Sequence, residues 1–528
     1  MVYFLLYLIP INFIFSIFIN QHSFLNEHNI ENDLNSNAIY EIVGLQDTIW
    51  LRTGSGISFI SFDNSNNPLF QSMNDNNLPQ GGSPAFIIDN DFISLSGASS
   101  TYQNNRYRPM GTGISWSIDK GHNWNYIEQP IDSVDTNYIW TDWGNQDSIR
   151  FKAITTTIYN VSYDIEKTRY NNYIYATSFA GGLRRFKYTE QDPKWELIPL
   201  PMDSQDSLIC NQIDIVDYEY DPVDPPIGND NHKAFSIFID NSGGFQYIWV
   251  GTGDGINKGI IHPETNCIDW FHYNESDGMG DRWVIGIRNQ ILEDTNRLWA
   301  ISWDPSLNTP IPHNLSYTED EGQTWNFISF FKEIGAIVYD LNFDDNDIYA
   351  STDLGLYRTY NGNLNVWFLY DIQDSNNQII MTDVIYSSSI NALNNQYTLW
   401  AGSPDGLFYS SDDGYSWDMY RTWNKTENSK DDDKRLSAYP NPFYIDETSD
   451  RLRIVYYNGS NNHAELDIFN FSMQHIVKLK NPVIIGDEGE FIWDGKNHFY
   501  QYVSNGVYLC RLTLGSDVYW TKLMVIHS

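Results

Sequence analysis

The side chains best placed for sugar chemistry lie in Tyr138-Ile-Trp-Thr-Asp-Trp-Gly144, where Asp142 stands between Trp140 and Trp143. A carboxylate flanked by indoles suits a glycosidic bond, because the acid can protonate or attack it while the rings stack on sugar faces. Asp277-Gly-Met-Gly-Asp-Arg-Trp283 offers the same pairing in Asp281 and Trp283. Both segments also fit a buried strand with an Asp at its turn. Hydrolysis needs two carboxylates facing one bond, and 68 acidic residues supply too many partners to choose among. Asp142 is therefore the candidate catalytic residue, and Trp140, Trp143, Asp281 and Trp283 are candidate binding residues.

Other chemistry is poorly served. Asp217-Tyr-Glu-Tyr-Asp-Pro-Val-Asp-Pro-Pro226 is rich enough in oxygen to suggest calcium, but it lacks the Asp-x-Asp-x-Asp-Gly spacing of a calcium loop and reads better as a solvated acidic loop. The chain has no His-x-x-x-His, no Cys-x-x-Cys and no phosphate-cradling glycine loop, so no metal and no cofactor is expected. Lys and Arg number 31 against the 68 acids, a net charge of −37. Such a chain cannot release counterions along a phosphate backbone, which excludes nucleic acid and disfavours anionic membranes. Aromatic residues make up 16% of the sequence, which excludes disorder as the reason for the charge.

The elements that must hold these residues repeat. Tyr247-Ile-Trp-Val-Gly-Thr-Gly-Asp-Gly-Ile256, Leu298-Trp-Ala-Ile-Ser-Trp303, Ile348-Tyr-Ala-Ser-Thr-Asp-Leu-Gly-Leu356 and Leu399-Trp-Ala-Gly-Ser-Pro-Asp-Gly-Leu407 share one pattern. Their aromatic marks, Trp249, Trp299, Tyr349 and Trp400, fall 50, 50 and 51 residues apart. Weaker marks occur at Trp50, near Ser94 and at Tyr175. Short strands with turn signals every few residues mean an all-β fold, and this period suits one four-stranded propeller blade. The marks favour seven blades, with six or eight open because the interval from Tyr175 to Trp249 carries an insertion.

Within the repeats, Ser117-Ile-Asp-Lys-Gly-His-Asn-Trp124, Thr318-Glu-Asp-Glu-Gly-Gln-Thr-Trp325 and Ser410-Ser-Asp-Asp-Gly-Tyr-Ser-Trp417 follow Ser/Thr-x-Asp-x-Gly-x-x-Trp. Such a turn has an Asp carboxylate bonding backbone amides, a Gly at positive φ and a Trp cover. Arg358 to Trp367 is a degenerate copy with Tyr360 in the Asp position. These segments resemble the Asp-box of sialidase-like and sortilin-type propellers, and Trp270 to Trp299 resembles the propeller repeat of bacterial sensor proteins. The likeness covers roughly residues 45 to 423. It implies that Asp119, Gly121, Trp124, Asp320, Gly322, Trp325, Asp412, Gly414 and Trp417 are structural residues at the blade periphery. Sialidase activity is not implied, because the Arg-Ile-Pro signature is missing and Asn105-Arg-Tyr-Arg-Pro-Met110 supplies only a small basic cluster. A charge of −37 would also repel an anionic sugar.

Residues 1–22 read as an apolar secretory signal without a basic n-region; an uncleaved anchor is the alternative. Of three cysteines, Cys210 and Cys267 either pair in an oxidising compartment or sit as buried thiols. The propeller is expected over residues 40–423 and a linker over 424–437, where Asn424 to Arg435 has no apolar side chain. Residues 438–528 alternate as the strands of a small antiparallel Ig-like sandwich.

That tail resembles the C-terminal sorting domain of the type IX secretion system and the related Ig-like domain of hook-capping proteins. The likeness rests on Tyr439-Pro440-Asn441-Pro442, Trp493-Asp494-Gly495, Gly506-Val-Tyr508 and Lys522-Leu-Met-Val525, with Asn470-Phe-Ser-Met473 departing from the usual Gly-containing turn. It implies export through outer-membrane secretion machinery to the surface or surroundings of a Gram-negative bacterium, by way of the periplasm. The expected protein is a monomer that recognises a glycan or polymer without catalysis. A glycoside hydrolase on a neutral polysaccharide is the alternative, and a structural adhesin the third reading.

Overall fold

A computed structural model describes residues 34–527 apart from short internal stretches, the longest being 304–312, 374–381 and 422–429. The expected signal segment 1–22 lies outside the described residues. The chain is all-β and separates into two compact units, Met1–Tyr370 with Val384–Ser403, and Asp371–Asp383 with Pro404–Ser528.

The first unit is built from antiparallel meanders in which each strand pairs with the next along the chain. Their opening strands are Ile39–Leu45, Phe86–Asp89, Ser162–Lys167, Ala234–Asp240, Trp283–Ile291, Val338–Asp344 and Ser387–Leu393. Each of these lies beside the next in that order, and Ser387–Leu393 lies beside Ile39–Leu45, so the unit is a closed β-propeller ring. Closure leaves no open sheet edge in the middle of the fold.

The marks explain the repeat. The aromatics Trp50, Tyr175, Trp249, Trp299, Tyr349 and Trp400, and Ser94 in the place of a seventh, all fall in the second strand of a meander and all are buried. In three sheets the partner directly across on the third strand is a cation: Tyr175 faces Arg185, Trp249 faces Lys258 and Tyr349 faces Arg358. The cations lie 4.9 to 5.7 Å from the ring centroids, where the negative face of the ring attracts them. Thr53, Thr252 and Thr352 close the next turn, each donating its hydroxyl to the carbonyl of a Gly three residues on. Those glycines have φ between 111° and 121°, a region closed to most side chains.

The insertion after Tyr175 is used at several places. Ser207–Leu208 adds to the edge of the sheet that opens with Ala234–Asp240, and Asp217–Tyr218 runs parallel to Asp147–Lys152. Cys210 and Cys267 form a disulfide, which resolves the choice between bridge and free thiols; Cys510 is a buried free thiol.

The second unit contains a sandwich of two sheets. One is ordered Leu436–Tyr439, Leu452–Tyr457, Glu488–Trp493, Val483–Ile485; the other Phe443–Ile445, Asp517–His527, Gly506–Leu514, Ala464–Asn470, His475–Leu479. The expected linker includes the short helix Asp432–Arg435, and the first strand of the sandwich starts at Leu436. Among the described residues no helix is long and apolar enough to cross a membrane.

Candidate functional site

Five of the seven opening strands share an irregularity with chemical consequences. Their register slips at Ile39/Glu41, Ser162/Asp164, Ala234/Ser236, Val284/Gly286 and Val338/Asp340, leaving one extra residue in each. Those extra residues, Tyr40, Tyr163, Phe235, Ile285 and Tyr339, line one cavity of about 160 Å³. Tyr386 completes the aromatic wall, 5.2 Å from Tyr40 and 5.3 Å from Tyr339 between ring centroids.

Charged residues beside the bulges bind neighbouring blades together. Arg52 donates from Nε to Glu41 at 2.9 Å and from Nη1 to the carbonyl of Ser83 at 2.8 Å. Asp164 Oδ2 accepts the backbone N–H of Ile237 at 2.9 Å, and Arg288 Nε donates to Asp340 Oδ1 at 2.7 Å. Burial pushes the Asp164 carboxyl up to about 7 and that of Asp340 up to about 6, against the pull of Arg288. A protonated acid beside an ionised one is the pattern that acid/base catalysis uses. The space is nonetheless too small for it, because ligand pockets run to roughly 300–1,000 Å³ and a scissile bond needs a sugar on each side. The cluster is a fastening of the ring. Sequence reading missed it; its one local signal is the recurrence of Tyr40-Glu41, Tyr163-Asp164 and Tyr339-Asp340.

The sugar-site candidates are dispersed. Trp140, Asp142 and Trp143 lie on strand Tyr138–Trp143, which pairs with Asp147–Lys152 in a three-stranded sheet separate from the four-stranded meanders, and their side chains lie outside what the structure describes. Asp281 is buried and accepts a hydrogen bond from Asn314 Nδ2 at 2.9 Å. Trp283 is 1% exposed and stacked 5.1 Å from Phe235, so the structure corrects its expected role: its indole is core and offers no face to a sugar. The acidic side chains of residues 217–226 are likewise outside the described set.

The three Ser/Thr-x-Asp-x-Gly-x-x-Trp turns have one geometry. Asp119 Oδ1 accepts the Ser117 hydroxyl at 2.7 Å and the Asn123 N–H at 2.9 Å, and Asp320 and Asp412 repeat both bonds with Thr318 and Thr324, and with Ser410 and Ser416. Side-chain bonds from Asn123, Thr324 and Ser416 to the other carboxylate oxygen, each at 2.6 Å, act first, and together with these they hold the Asp119 carboxyl down at about 2 and lower those of Asp320 and Asp412. Gly121, Gly322 and Gly414 take φ of 84° to 94°, and Trp124, Trp325 and Trp417 are buried. In the degenerate copy a carboxylate arrives from elsewhere: Asp347 Oδ1 accepts the Asn361 N–H at 2.6 Å, and Trp367 is still buried.

The basic cluster of residues 105–110 belongs to a long hairpin, Phe92–Gln103 with Arg106–Ser117. Arg108 is buried over the Tyr159 ring. Near the tip, Tyr102 sits directly across from Tyr107, with ring centroids 5.0 Å apart. The two are 61% and 70% exposed, a pair of open aromatic faces that no sequence motif announced.

In the sandwich the residues that carry the C-terminal likeness divide between its core, which takes Trp493 and Tyr508, and its surface, where Asn441, Asp494 and Lys522 are exposed. Asn441 donates from Nδ2 to the Lys522 carbonyl and accepts the Met524 N–H, so its amide continues the sheet where the chain enters it. Trp493 is buried against Phe443 and Tyr508, and its Nε1 donates to the Lys496 carbonyl. Asp494 accepts the Lys496 N–H, Gly495 takes φ of 75° against Ile445, and Tyr508 donates to the Ser504 carbonyl. Gly506 opens the strand that carries Tyr508. Tyr439 lies on the first strand; Pro440 lies outside the described residues.

No family model matches the chain, and no curated protein matches it. Similar solved structures include PorZ, described as an essential bacterial surface component of the type-IX secretion system of Porphyromonas gingivalis, at 13% identity over 92% of this chain and 65% of that one, with a TM-score of 0.40. An ancestral GH74 enzyme is 11% identical over 94% of this chain and 64% of its own, with a TM-score of 0.47. The β-propeller domain of Myceliophteria thermophila Cps50 (Swd1) is 10% identical over 72% and 99%, with a TM-score of 0.40. The chain thus spans less than two thirds of the PorZ and GH74 chains. Similarity this distant carries no argument about activity; the propeller rests on the ring of strands described above.

Proposed function

We propose that this chain is an exported or surface-displayed propeller protein of a Gram-negative bacterium that recognises a neutral glycan or polymer without turning it over. In this reading the three repeated turns are Asp-boxes, and the sandwich is the address read by type IX secretion machinery. The observation that carries recognition is the exposed Tyr102–Tyr107 pair, because apolar rings held in water on a rigid hairpin are what a pyranose face stacks against. The small cavity argues against hydrolysis at that point of the ring.

The test is a polysaccharide panel scored for both retention and released reducing ends. Retention that falls about tenfold on Tyr102→Ala and Tyr107→Ala, with no release, supports recognition. Release of sugar that stops on Asp142→Asn moves the protein to the hydrolases. For the address, a chain ending at Asn424 is expected to remain in the periplasm, and its normal surface delivery overturns that part.

A further inference from the structure

The two turns at one end of the sandwich are copies of each other. In Asn470-Phe-Ser-Met-Gln474 the Met473 N–H bonds the Asn470 carbonyl, the Asn470 N–H bonds the Gln474 carbonyl, and the Gln474 N–H bonds Asn470 Oδ1. In Asn497-His-Phe-Tyr-Gln501 the Tyr500, Asn497 and Gln501 N–H groups make the same three bonds. Met473 and Tyr500 both have φ of 62°, and Ile476 accepts from the His498 N–H, so one turn is tied to the strand beside the other.

Between them lies a groove of about 530 Å³, within the roughly 300–1,000 Å³ of small-ligand sites. Its lining contains no Asp, Glu, Lys or Arg, in a chain whose net charge is −37. What it offers instead are the amides of Asn497 and Gln501 and the ring of Phe471, 79% exposed, whereas Asn470 spends both ends of its amide on Gln474 and Tyr502 has the Lys496 ammonium 4.9 Å from its ring centroid. Asn497 spends its Oδ1 within the turn, which leaves its Nδ2 and the whole Gln501 amide without a protein partner among the described residues.

We propose that this groove is a binding site for a neutral saccharide, separate from the Tyr102–Tyr107 hairpin. A primary amide both donates and accepts, which matches adjacent sugar hydroxyls, and an exposed ring covers the C–H face of a pyranose. The lining itself gives uronic acids, sialic acids and phosphates no counter-ion, and Lys496, the cation over Tyr502, is already paired with Asp494 at 3.4 Å.

The full chain is titrated calorimetrically with neutral hexaoses (cello-, malto-, laminari- and manno-) and with oligogalacturonate, in the Tyr102→Ala/Tyr107→Ala background. A neutral hexaose is expected to bind that background, to weaken about tenfold on Gln501→Ala and on Phe471→Ala, and oligogalacturonate is expected not to bind. Both substituted side chains are exposed, and an unchanged melting curve shows that the fold is intact. Absence of neutral-sugar binding in that background, affinity unaltered by both groove substitutions, or tighter binding of an uncharged Gly-Ser-Asn peptide than of any sugar overturns the proposal. Sugar binding that disappears with Tyr102 and Tyr107 but ignores the groove leaves the hairpin reading standing and removes this one.

Discussion

Arg288 donates from Nε to Asp340 Oδ1 at 2.7 Å across two adjacent blades, and the acid it meets is held above the usual carboxylate range by burial. Asp164 is raised further, to about 7. An acid whose folded pKa exceeds its unfolded value binds its proton more tightly in the native state. These two groups therefore favour the folded ring most at or below about pH 4, and that contribution is lost as pH rises through 6 to 7. Denaturant unfolding of wild type and Asp164→Asn between those limits is the check. The substitution is expected to flatten the fall in stability with pH, and parallel profiles would show that Asp164 does not titrate there. Asp119, which lies in a solvent-accessible turn, has the opposite sign, since its lowered pKa gives stability above the ordinary carboxylate value that is lost as pH falls to about 2.

The repeated turns separate capping from packing. Trp325 is buried and meets Trp249 edge-on at 6.5 Å, so Trp325→Ala is expected to cost about 3–5 kcal/mol in chemical denaturation. Asp320 lies at the surface, where water replaces much of what its carboxylate does, and Asp320→Asn is expected to cost far less. Equal losses would mean that the turn, rather than the indole, holds the blade.

The Cys210–Cys267 bridge closes a separation of 57 residues. Reduction, or Cys267→Ser, is expected to lower stability by about 2–4 kcal/mol through the freedom returned to the unfolded chain. Intact-mass alkylation of the denatured, unreduced protein checks the bond itself, with one labelled thiol, Cys510, expected and three labels counting against the bridge.

What the sequence made legible follows from where its signals arise. The aromatic marks fell on the second strands because each must be buried against a cross-strand partner, as Tyr349 is under Arg358, and burial fixes residue type at a fixed place in the unit. The three Asp turns were readable because Ser117, Asp119, Gly121 and Trp124 act within eight residues of one another. The cavity was not, because Glu41, Asp164, Arg288 and Asp340 meet only after the ring closes, and the recurring Tyr-acid pairs at three of these positions do not show which residues they will meet. Trp283 was misread for a related reason: an indole beside an Asp looks the same in sequence whether it faces Phe235 or solvent. The paired Asn–Gln turns escaped notice because their likeness lies in backbone bonds rather than in the residues between Asn and Gln.

The most demanding prediction concerns four charges buried together in the second unit. Arg453 is fully buried and clasps Asp405 with Nε and Nη2, at 3.1 and 2.6 Å, while its Nη1 bonds Glu490. Arg421 lies 3.5 Å from each of the same two carboxylates. Two cations against two anions balance, so the cluster tolerates burial only while all four are present. Removing one leaves two carboxylates facing a single guanidinium out of water, and Arg453→Ala is expected to cost about 3–5 kcal/mol. Removing one of each sign restores the balance: Arg453→Met with Glu490→Gln is expected to be less damaging than Arg453→Ala alone, although it changes more atoms. Urea unfolding followed by circular dichroism measures both. If the double variant were the weaker one, the cluster would be held by the shape of its hydrogen bonds rather than by neutrality.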